Sequence, residues 1–107
     1  KRIVIGALDS ADPLMRSIGA AMISNLEPHA LGKKDIPRLV GALLDPNLDV
    51  RGGIQNALAS YSSTDPKSLI KAIDSFKRSD KRLIDHDASI RLDVLRMEAD
   101  SRKGRKQ

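Results

Sequence analysis

The chain has no cysteine and no tryptophan, and its whole aromatic complement is one Tyr and one Phe. Without Cys there is no disulfide, no thiolate metal site and no Cys nucleophile. That composition is compatible with a reducing compartment, and a cytoplasmic location is the expectation. With so few aromatics, the core must be built from Leu, Ile, Val, Ala and Met, which suits close helix packing. No apolar run approaches the roughly 18 residues that a membrane span needs, and no signal-peptide pattern opens the chain. Nor does any segment alternate with period two for long enough to argue for a sheet. The first residue is Lys1, not Met, so the expectation is an excised or processed segment of a longer protein.

A length of 107 residues fits one domain. The net charge of +5 is unevenly placed. Residues 1–70 hold 8 Lys/Arg against 7 Asp/Glu, whereas residues 71–107 hold 11 against 7. An anionic partner is therefore to be sought in the last third.

The strongest internal signal is an echo. "LDSADPLMRSIGAAM", from Leu8, resembles "LLDPNLDVRGGIQNAL" at 43–58. Both run from an apolar helix end through a turn holding Asp and Pro to an Arg and a small-residue helix. Arg51 follows Arg16 by 35 positions. Ile5, Leu8, Met15, Arg16, Met22 and Leu26 then fall over Val40, Leu43, Val50, Arg51, Ala57 and Tyr61. A third copy is interrupted: "SLIKAIDS" (68–75) follows "RLVGALLD" at a spacing of 30, and "DASIRLDVLRM" (87–97) follows "NLDVRGGIQNA" at 40. The difference is an insertion of ten residues around "FKRSDKRLID".

Each unit reads as two helices. First helices are expected over 1–9, 35–45 and 66–77, and second helices over 13–26, 48–61 and 87–101. Pro37 and Pro66 suit first-turn positions, where a missing N–H costs nothing. Thr64 or Asp65 can cap the third first-helix, and Asp12, Asp49 and Asp87 suit N-cap or first-turn places. On 48–61, Val50, Ile54, Ala57, Leu58 and Tyr61 share one face at helical spacing. Gly19, Gly41, Gly52 and Gly53 cost helix stability, up to about 1 kcal/mol each, unless close backbone approach requires them.

Paired helices of this period, with Asp and Pro at the turn and Val-Arg opening the second helix, resemble HEAT repeats, particularly the short phycobilisome-lyase type. The resemblance covers most of residues 3–100, and its best copy is "LVGALLDPNLDVRGGIQNALASY". An armadillo-like arrangement or plain helical hairpins fit the same residues. The resemblance implies an all-α solenoid of about three stacked antiparallel helix pairs, the third interrupted. The units would be about 1–30, 31–63 and 64–101, with 102–107 as a basic flexible tail. It also implies a surface that binds other macromolecules, and a structural role for the arginine of each unit: Arg16, Arg51 and Arg91.

Catalytic constellations are not found. Ser62, Ser63 and Thr64 lack the glycines of a nucleophile elbow, and Gly52–Gly53 lacks the Lys and spacing of a phosphate loop. His29 and His86 are isolated, and "DHD" (85–87) has no second ligand cluster for zinc. No catalytic residue, cofactor or metal is expected, and the absence of Trp speaks against the base-excision role of some helical-repeat proteins.

Two surfaces remain. Lys77, Arg78, Lys81 and Arg82 in the insertion, with Arg102, Lys103, Arg105 and Lys106 in the tail, could contact phosphates without reading sequence. No aromatics interleave them for base stacking. In 87–101, Ile90, Val94 and Met97 form the expected core face, while Ala88, Leu92, Leu95 and Ala99 form a second apolar face. That second face is either covered by Leu83 and Ile84 or docks a further repeat, a second copy or a target helix. The reading is a non-enzymatic scaffold for protein–protein interaction, with an accessory nucleic-acid-binding module as the alternative.

Overall fold

The structure, a computed structural model, describes residues 5–27, 30–79 and 84–105. Among these all regular structure is helical, with no strand. Five α-helices lie wholly within the described residues: α1 (Pro13–Ser24), α2 (Ile36–Gly41), α3 (Leu48–Tyr61), α4 (Pro66–Ser79) and α5 (His86–Arg105). Single 3-10 turns cover Ala7–Asp9, Lys33–Asp35 and Ala42–Leu44. The expected helix at 35–45 is thus a short α-helix flanked by two 3-10 turns. Of the expected helix at 1–9, residues 1–4 lie outside the described residues.

The helices start where short polar side chains can take unpaired N–H groups. Asp12 accepts from the Leu14 N–H at 2.9 Å and opens α1, with Pro13 in the first turn. Asn47 caps α3 by accepting from the Asp49 N–H at 2.8 Å, and Asp49 stands in the first turn. Asp65 accepts from the Ser68 N–H and hydroxyl, at 3.1 and 2.7 Å, where α4 begins. Asp85 accepts from the Ala88 N–H at 2.8 Å and starts α5 a residue earlier than expected.

Helix α5 also runs further than expected. The flexible tail placed at 102–107 is helical through Arg105, while 106–107 lie outside the described residues. An Arg96–Asp100 ion pair one turn apart spans the approach to this end. Arg102 and Lys103 then place positive charge where the helix dipole is negative.

Helix α1 packs along α3, α4 along α5, and α2 against both α3 and α4, while α3 also touches α5. The core between them is aliphatic apart from Tyr61, as the composition demanded. Ile23, Ile36, Leu39, Leu43, Ile54, Leu58, Leu69, Ile73, Leu92 and Leu95 are fully buried. The α1–α3 contact depends on one glycine. A Cβ on Gly53 would lie 2.9 Å from the carbonyl carbon and oxygen of Ala20, so the backbones could not approach this closely with any other residue. Its neighbour Gly52 faces open space.

Candidate docking surfaces

The arginines were the most conspicuous polar residues of the sequence, and the structure commits them to the protein itself. Arg16 donates from Nε to Asp45 Oδ2 at 2.8 Å and from Nη1 to the carbonyl oxygens of Ser10 and Ala11. Arg51 is buried, and its five N–H donors meet five acceptors. Nη1 and Nη2 bind Asp85 at 2.9 and 2.7 Å, Nη1 also binds Asp87 at 3.0 Å, and the Asp45 and Leu44 carbonyls take the remaining two. The Asp85 hydrogen bonds raise the Arg51 pKa above its usual value against the opposing effect of burial. Neither arginine has a donor set aimed at an external anion. Arg91 differs: it binds Asp87 in its own first turn and Gln55 of α3.

This difference explains a correction. Ala88, Leu92, Leu95 and Ala99 are fully buried within the chain, so they form the core face of α5 and offer nothing to an external partner. Ile90, Val94 and Met97, the expected core face, are 50%, 40% and 70% exposed. Aligning Arg91 with Arg51 set a spacing of 40, which laid Ile90 over Val50. In the structure the buried 88, 92, 95 and 99 correspond to 50, 54, 57 and 61 of α3 at a spacing of 38, and two residues of slip rotate a helix face by about 200°. Among the described residues α4 supplies most of the cover, with Ile84 half-buried against the same core; Leu83 lies outside the described residues. The cue was in the sequence, since 88, 92, 95 and 99 follow helical spacing over three turns without interruption.

Among the described basic residues of the last third, Arg78 and Lys103 line a common groove, and Lys77 and Arg78 border another. Lys77 pairs with Asp93. Lys81, Arg82 and Lys106 lie outside the described residues, as does His29. Arg102, Lys103 and Arg105 ride on the last turns of α5. The structure adds lysines that sequence reasoning passed over. A groove of about 300 Å³ is lined by Lys67, Ile70, Lys71, Asp74, Arg78 and Lys103. Beside it a groove of about 410 Å³ is shared by Lys67 and Lys71 with Lys33, Pro37, Ser68 and Ser75. Lys67 and Lys71 stand one turn apart on α4, which was the available signal. A larger hollow, about 560 Å³, is bordered by Lys77, Arg78, Ile84 and Ser89.

His86 is exposed at the first position of α5, and its neighbours Asp85 and Asp87 both serve Arg51. Among the described residues no group of three or more His, Asp or Glu could hold a metal, and no helix is long and apolar enough to cross a membrane.

One apolar surface went unremarked in the sequence. Along α1, Leu14, Met15, Ile18 and Met22 are 65%, 46%, 45% and 51% exposed. They lie at helical spacing on the side away from Ala20 and Ile23, which are buried. Searches against family models, curated proteins and solved structures find no match.

Proposed function

We propose that the chain is a non-enzymatic, HEAT-like scaffold of three stacked helix pairs whose α1 end docks a helix of a protein partner. The arginines support the stack. Arg16 and Arg51 each bind a carbonyl in the turn before their own helix, Ser10 and Asp45, which are themselves 35 positions apart. Each also binds a carboxylate just before the second helix of the next pair, Asp45 for Arg16 and Asp85 for Arg51. A Cα envelope 19 Å thick suits two layers of helices.

The observation that carries the docking surface is the exposed α1 face. With the 35-residue offset, Met15, Ile18 and Met22 correspond to Val50, Gly53 and Ala57 of α3. In α3 that face is the one turned to α1, with Gly53 against Ala20 and with Val50 and Ala57 buried. The α1 face is therefore the same stacking surface, one pair earlier. The opposite end differs: on the side of α5 turned away from α3, helix geometry places Asp93, Arg96 and Asp100. Repeat arrays close their ends with polar faces. The α5 end has one, and the α1 end presents apolar side chains suited to a helix.

The test is affinity capture with the wild-type chain, Ile18→Asp/Met22→Asp and Lys67→Glu/Lys71→Glu, after nuclease treatment, with quantitative mass spectrometry. A protein partner lost from the α1 variant and kept by the lysine variant supports the proposal. Identical captures from the α1 variant and the wild type overturn it.

A further inference from the structure

We infer that the adjoining grooves beside α4 form a cationic cradle for the phosphodiester backbone of a nucleic-acid duplex, held by charge and without reading bases. Lys67, Lys71 and Arg78 lie on a single strip of α4, because offsets of four and eleven residues return to nearly the same angle on a helix. The strip spans about 16 Å at 1.5 Å per residue. Lys103 of α5 joins it across one groove, and Lys33 stands at the far end of the other.

The charge on this strip is not spent internally. Among the described residues, Lys67, Lys71, Arg78 and Lys103 have no ion pair or side-chain hydrogen bond, whereas Arg16, Arg38, Arg51, Lys77, Arg91 and Arg96 all have carboxylate partners. The one acid on the strip, Asp74, is engaged by Arg96 at 3.0 and 3.2 Å. Asp65 lies near Lys33 and is hydrogen-bonded to Ser68. Lys33 is therefore a rim charge, and the other four are the centre.

The lining decides which anion fits. Protein hot spots need aromatic or apolar anchors seated in desolvated pockets. Here Ile70 is buried in the core, and the grooves hold no aromatic residue. Single-stranded nucleic acid would want aromatic platforms for its bases, and none stands here. A duplex backbone needs neither, only cations spaced along its length. This surface lies on α4 and is independent of the α1 face.

The experiment is fluorescence anisotropy of a labelled mixed-sequence DNA duplex with the full chain at 50 and 200 mM salt. Three or four neutralised phosphates predict that binding weakens about 40- to 150-fold between these conditions. Lys67→Gln/Lys71→Gln should weaken binding at 50 mM at least tenfold and reduce the salt slope by about two. Both lysines are exposed, so folding is not at stake. Asn56→Glu/Ser60→Glu, on exposed positions of α3, changes net charge by the same amount and should stay within twofold of wild type. Absence of binding at 50 mM overturns the inference. So does an equal loss in both variants, which would mean net charge alone. Poly-glutamate binding as tightly as the duplex would overturn it too, by marking the cradle as a site for acidic peptides.

Discussion

Arg51 holds Asp85 with both terminal nitrogens, Nη1 to Oδ1 at 2.9 Å and Nη2 to Oδ2 at 2.7 Å, across 34 residues of sequence. Two parallel charged hydrogen bonds of this kind fix orientation as well as distance. Because Asp85 also takes the Ala88 N–H, the same carboxylate starts α5 and ties that start to α3. Arg51→Ala should therefore destabilise the fold by about 2–3 kcal/mol. Arg51→Lys should recover little, since a single ammonium cannot meet five acceptors arranged around a planar fork. Arg38→Ala removes only an exposed pair with Asp9 and should cost under about 1 kcal/mol. Denaturant titration of the three variants checks the ranking.

Acid should attack the same connection. The Arg51 donors, followed by the Ala88 N–H, hold the Asp85 carboxyl well below the usual carboxylate range. Arg91, and after it Arg51, lowers Asp87. The Ser68 hydroxyl lowers Asp65. A folded pKa below the unfolded value of about 4 means stability that is present above that value and lost as pH falls towards the folded ones. The melting temperature should therefore fall as pH drops below about 4. In Arg51→Ala the fall should be shallower, because Asp85 loses its main reason to stay ionised. Parallel profiles would remove Arg51 as the cause.

The adjacent glycines of α3 give opposite expectations. Gly53→Ala drives a methyl into the Ala20 backbone and should destabilise by about 1–3 kcal/mol, the range for overpacking. Gly52→Ala meets nothing within 4 Å and should stabilise by up to about 1 kcal/mol. Thermal melts of the two single variants decide this. Equal effects would mean that α1 and α3 are not in the close contact described.

The helices were legible because their signals are local. Asp12, Pro13, Asp65 and Pro66 mark helix starts that hold regardless of tertiary context, and the faces of α3 follow from spacing alone. On α5 two apolar faces compete, so spacing offers both, and the contact between residues 51 and 85 that accompanies the choice is not written in either segment. Lys33, Lys67 and Lys71 were missed for a similar reason. Lys33, Lys67 and the expected Lys103 are far apart in sequence, and only the packing of the helices makes them line adjoining grooves. The basic insertion and tail drew attention by density of charge, yet Lys77 spends its charge on Asp93.

The corrected faces of α5 carry their own test. Leu95→Ala should cost about 2–5 kcal/mol, as a fully buried leucine truncated in a core. Met97→Ser, on the exposed side, should change stability by less than about 0.5 kcal/mol. Sedimentation of Leu92→Ser/Leu95→Ser under native conditions should show no change in the assembly state of the folded fraction, only a lower melting temperature.

The α1 docking surface is tested most directly by a photo-crosslinking residue placed at position 18, with a second at position 56 on the exposed side of α3 as the reference. The account predicts that position 18 crosslinks to a helical segment of a protein partner, that position 56 does not, and that Met22→Asp abolishes the product without lowering the melting temperature. Crosslinking at position 18 that is absent, or that matches position 56 and survives Met22→Asp, would contradict it.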